Sequence, residues 1–137
     1  MLIRVKDKKL FIKKNGFILY DEVPDFYEVL AIIAKKKEIK YLVQENGIPT
    51  MYTAEYFEIL DDVIPNYWIF QYFKYNNIIK NKKYMFDIGI DMYIGPKDYI
   101  NDPDFLFNVF EDPKVAGVTL YEVQKKYGNI FHTRQQT

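Results

Sequence analysis

The side chains able to do chemistry are few and poorly grouped. The single histidine, His132, sits beside Phe131 near the C-terminal end with no carboxylate next to it in sequence. That is the setting of a surface residue rather than of a general base. The chain has no serine and no cysteine. Serine and cysteine triads, thiolate metal sites and disulfides are therefore excluded. It contains neither a phosphate-binding loop nor a Gly-x-Gly-x-x-Gly run. Carboxylates remain, in the pairs Asp61–Asp62, Asp87–Asp91 and Asp102–Asp104. Such pairs can hold a hard cation or divide acid and base roles. None follows calcium-loop spacing, and Asp102 and Asp112, each followed by proline, read as helix caps. No cofactor and no metal is expected, and the chain reads as a binding protein rather than an enzyme.

Charge supplies a sharper signal than any motif. The 137 residues sum to zero formal charge, yet the distribution is uneven. Residues 1–40 hold ten Lys/Arg against six Asp/Glu, and residues 85–112 hold one against seven. An acidic face repels nucleic acid and draws basic proteins. The expected partner-binding residues are Asp61, Asp62, Asp87, Asp91, Asp98, Asp102, Asp104 and Glu111, with Tyr93 and Tyr99 as ring anchors. Thirteen Tyr and eleven Phe suit both pleated strands and a recognition surface. A low-GC genome would produce the same bias. Lys35, Lys36, Lys37 and the N-terminal lysines keep a second class open, a small nucleic-acid-binding or regulatory barrel that stacks bases on the aromatic run Tyr67–Tyr75.

These residues need a scaffold, and its strongest local signal is Asn46–Gly47 between Ile39–Gln44 and Ile48–Tyr52, a two-residue hairpin. Leu2–Val5 reads as a strand. Leu10–Ile12 and Phe17–Tyr20 read as two more around a second hairpin at Asn15–Gly16. Phe26–Ile33, Tyr56–Leu60, Tyr67–Tyr75 and Tyr84–Ile94 continue the β pattern, the last with a bulge at Gly89. Both faces of Tyr67–Tyr75 are largely apolar, so it is expected to be covered on both sides. From Gly95 the period changes. Leu106, Val109 and Phe110 share one helical face, and Ala116, Leu120, Val123 and Tyr127 another, with Gly128 as the terminating residue and a polar tail after it. The expectation is one α+β domain, residues 1–94 mainly β, 95–130 mainly α and 131–137 a tail: an antiparallel curved sheet or partial β-barrel followed by one or two C-terminal helices. The charged start Met1–Lys6 does not read as a signal peptide. No apolar run reaches the roughly 18 residues a membrane span needs. A cytoplasmic protein is expected; its oligomeric state is not legible.

Tyr27-Glu28-Val29-Leu30, the hairpin Tyr41–Tyr52 and the closing Tyr56-Phe57-Glu58-Ile59 resemble a small bacterial Src-homology-3-like barrel. With Ile64–Ile69, Ile94-Gly95-Pro96 and Phe105–Asp112, the texture over residues 26–113 resembles that of immunity proteins from polymorphic or contact-dependent toxin systems. The basic N-terminus has no counterpart in that pattern. The resemblance implies a cognate toxin domain as partner, a basic nuclease being one candidate, and carries no catalytic residue.

Overall fold

The computed structural model describes residues 1–16, 23–73, 90–102 and 104–135. It is α+β, with two antiparallel sheets that do not close into a barrel. The larger sheet is built from β3 (Ala31–Lys35), β4 (Glu38–Glu45), β5 (Ile48–Thr53), β7 (Trp68–Tyr72) and β8 (Ile90–Pro96), in the order β5-β4-β3-β8-β7. The smaller sheet has β1 (Leu2–Val5) between β2 (Tyr27–Glu28) and β6 (Phe57–Asp61). One short helix, α1 (Lys8–Asn15), follows β1. Three helices follow β8: α2 (Lys97–Asn101), α3 (Phe105–Glu111) and α4 (Pro113–Gln135).

Strand pleating divides the large sheet into two apolar faces. Ala31, Ile33 and Leu42 pack with Tyr99, Phe105, Leu106, Val109, Ala116, Leu120 and Val123 of the C-terminal helices. Tyr41, Val43 and Tyr52 face the other way and pack with Ile3, Val5, Tyr27, Phe57 and, from α1, Phe11. The large sheet is thus the middle layer, with helices on one face and the small sheet on part of the other. Both helical stripes expected from the sequence are core, and Pro113 opens α4 where a missing N–H costs nothing.

The Asn46–Gly47 hairpin forms as its sequence implies. Glu45 pairs with Ile48, and Asn46 and Gly47 take the left-handed φ values of 52° and 79° that a two-residue primed turn demands. Asn15–Gly16 does not form a hairpin. Asp7 accepts the Leu10 N–H at 3.1 Å and caps α1, and Gly16, at φ 79°, ends it by donating to the Ile12 carbonyl. The same dipeptide supplies the same left-handed backbone, but an upstream cap turns Lys8–Asn15 into a helix, contrary to the strand expected at Leu10–Ile12. Phe17–Tyr20 lies outside the described residues, as does Gly89.

Two further expectations are corrected. Gly128 does not end the last helix, which runs to Gln135, so the segment expected as a tail is largely helical; a glycine inside a helix costs only about 1 kcal/mol. Strand β7 is covered on one face only. Ile69 packs toward the helices, while Phe70 and Tyr72 on the opposite face are 62% and 50% exposed, because the small sheet reaches no farther along β7 than Trp68. Gly95, expected to open the helical part, lies inside β8. A Cβ there would sit 2.7 Å from Tyr93 Oη and 2.8 Å from Ala31 Cβ, so only glycine fits. No helix among the described residues is long and apolar enough to cross a membrane.

Candidate partner-binding surface

The carboxylates singled out in the sequence do not form one patch. Asp98, in the first turn of α2, accepts hydrogen bonds from Lys126 Nζ and Tyr127 Oη, each at 2.8 Å. Burial pushes its carboxyl up, but those two bonds outweigh it and hold the group below the usual carboxylate range. Asp102, between α2 and α3, accepts from Thr119 Oγ1 at 2.9 Å and from the Asp104 N–H at 3.1 Å. It is thus a local backbone cap, while the N-cap position of α3 (Phe105–Glu111) is taken by Asp104. Asp98 and Asp102 meet Thr119, Glu122 and Lys126 at a shallow depression of about 440 Å³. Two of its carboxylates are engaged in holding α4 against α2, which is structural work. No group of three His, Cys, Asp or Glu among the described residues could hold a metal.

The remaining acids are dispersed. Asp91 is exposed on β8, and Asp104 and Glu111 are exposed at opposite ends of α3. Asp87 lies outside the described residues. Tyr93 and Tyr99 cannot serve as ring anchors, since they are 0% and 1% exposed. Tyr93 donates to the Pro96 carbonyl, and Tyr99 stacks on Phe105 with centroids 4.4 Å apart. Burial foremost raises both phenols, which stay protonated. They are core rings because their strand and helix turn them toward the layer between sheet and helices.

Asp61 and Asp62 have a different setting. They lie at the end of β6, which is an edge of the small sheet among the described residues. Asp61 Oδ1 accepts the Val63 N–H at 2.9 Å, forming a local turn that leads the chain out of the strand. Around this acidic pair Ile59, Leu60, Val63 and Ile64 are 46–54% exposed. Residues 55–62 hold four carboxylates and no Lys or Arg, and Glu58 forms a two-nitrogen ion pair with Arg4 of β1. Large apolar side chains gathered at an exposed edge mark an interaction surface more often than a chance exposure. A comparison with known protein families, characterised proteins and solved structures found no match. The chain's own geometry is therefore the basis for reading this surface.

Sequence pattern marks Tyr56–Leu60 as an ordinary strand, and the exposure of Ile59 and Leu60 is apparent only in the structure. The available signal was the strand's failure to alternate: Ile59 and Leu60 are adjacent, so no single buried face accommodates both.

A second feature invisible in the sequence joins the two sheets. Tyr27 of β2 and Tyr52 of β5 both donate to Glu45 Oε2, at 2.5 and 3.0 Å. Both phenols are almost fully buried, and burial followed by the carboxylate's charge pushes their ionisation far up. Phenols held protonated beside a carboxylate are poor nucleophiles and good clamps. The arrangement is a structural tie rather than a catalytic pair.

Proposed function

We propose that this protein is a non-enzymatic binding module, an immunity protein that neutralises a cognate bacterial toxin by direct contact. The edge formed by Ile59, Leu60, Asp61, Asp62, Val63 and Ile64 is the contact surface. The observation that carries the reading is this edge, where four large apolar side chains lie exposed around an acidic pair. Apolar anchors supply affinity once desolvated, and an acidic rim steers a basic partner and sets its orientation. A basic toxin, such as a nuclease whose own cleft is positive, is complementary to it.

Isothermal titration against a candidate basic toxin domain, at low and high salt, tests the reading. Binding should be tight and should weaken with salt. Asp61→Asn with Asp62→Asn should reduce the salt dependence, and Ile64→Ala should cost about 2 kcal/mol if it is an anchor. Absence of binding, or binding indifferent to all three changes, would reject it.

A further inference from the structure

The uncovered part of the large sheet carries a second surface of different chemistry. Cross-strand register places Phe70 beside Ile94 and Ile94 beside Ile32. The next row runs Tyr72, Met92, Ala34, Ile39. Phe70, Tyr72 and Ile39 are the exposed members. Past the next pair, Lys35 and Glu38, the β3–β4 hairpin turns through Lys36 and Lys37. Two strand spacings, roughly 10 Å, separate the Ala34 backbone from that of Tyr72.

That turn is strained. Lys36 and Lys37 hold φ values of 50° and 69°, the left-handed region that the other hairpin fills with Asn and Gly. A fold that uses the preferred residues at one primed turn and two lysines at the other keeps those lysines against local preference. Residues 35–40 contain four lysines and one acid, Glu38, which Lys40 approaches at 3.5 Å. Lys35 lies over the Phe110 ring at 3.9 Å, on the helix side of the sheet, so the charge beside the uncovered face comes from the turn lysines Lys36 and Lys37.

We propose that this face binds single-stranded RNA, with the Phe70 ring stacking a base and Lys36 and Lys37 taking neighbouring phosphates. The charge of the turn complements a phosphate backbone, and an exposed ring on a sheet face accepts any base. This site is separate from the proposed toxin-binding edge and stands or falls without it.

Fluorescence anisotropy of the full chain with a fluorescein-labelled twelve-nucleotide oligouridine at 50 mM salt tests it. Phe70→Ala, an exposed change, should weaken binding about tenfold, consistent with the loss of one stacked base. Lys36→Asn with Lys37→Gly should weaken binding and lower the log–log salt slope by about 1.4, two phosphate contacts on a single strand. The same pair should raise the melting temperature, because the turn then carries residues suited to it. A lysine pair kept for structure alone would leave RNA affinity unmoved. No binding by the unaltered chain, affinity untouched by either variant, or equal competition by polyglutamate would overturn the proposal, the last in favour of an acidic protein ligand.

Discussion

Tyr27 donates its phenolic proton to Glu45 across 2.5 Å, and this contact ties the small sheet to the central hairpin. Tyr52 shares the same carboxylate oxygen. Glu45→Leu would leave two buried hydroxyls unsatisfied, and each such group costs about 1–3 kcal/mol. Chemical denaturation should show a loss of that order, with Glu45→Gln intermediate because its amide oxygen still accepts.

The same cluster sets the alkaline limit of the fold. The Tyr27 and Tyr52 phenols are pushed up by burial and by Glu45, so the folded state disfavours their ionised forms. The resulting stability is fully present below the unfolded phenol value of about 10 and is lost as pH rises above it. Tyrosinate absorbance should therefore rise in two stages, exposed rings first and buried rings only with cooperative unfolding. A single smooth titration of all the tyrosines near pH 10 would contradict the packing.

Asp98 acts at the acid end. Its carboxyl is held below the ordinary value despite partial burial, because Lys126 and Tyr127 donate to it. Its contribution is present above the unfolded carboxyl value of about 3.9 and is lost as pH falls through the lower folded value. The Tyr127 bond contributes about 1 kcal/mol, so Asp98→Asn should destabilise by no more than that at pH 7. The difference from the unaltered chain should shrink as the pH is lowered through the carboxylate range. Urea melts at pH 7 and pH 3 measure both.

Gly95→Ala tests the packing on the helix-facing side of the adjacent strands β3 and β8. The added methyl would meet Tyr93 Oη and Ala31 Cβ inside van der Waals distance, and both belong to the buried core. Overpacking of this kind costs about 1–3 kcal/mol. A melting temperature equal to that of the unaltered chain would show that the strand can shift to admit it.

Local signals carried much of this fold into the sequence, and tertiary ones did not. Asn46–Gly47 was legible because strands on both sides require the left-handed turn it supplies. Asn15–Gly16 supplies the same backbone at a helix end, and only Asp7, eight residues before Asn15, tells the two uses apart. The stripes on α3 and α4 were legible because helical period is a one-dimensional property. How far a second layer extends is not: nothing along the chain says that the small sheet covers Tyr52 and Tyr41 but leaves Phe70 bare. The same limit hid the difference between Tyr93, a core ring, and Ile64, an exposed aliphatic side chain. Charge counted along residues 85–112 likewise could not reveal that Asp98 and Asp102 bond inward.

Co-expression with a candidate toxin, the partner that the proposed function requires, tests the central claim most directly. Growth should be restored by the unaltered chain and lost with Val63→Asp plus Ile64→Asp, while the melting temperature of that exposed variant stays unchanged. Protection by the variant equal to that of the unaltered chain, or growth arrest with both, would contradict the β6 edge as a toxin-binding surface.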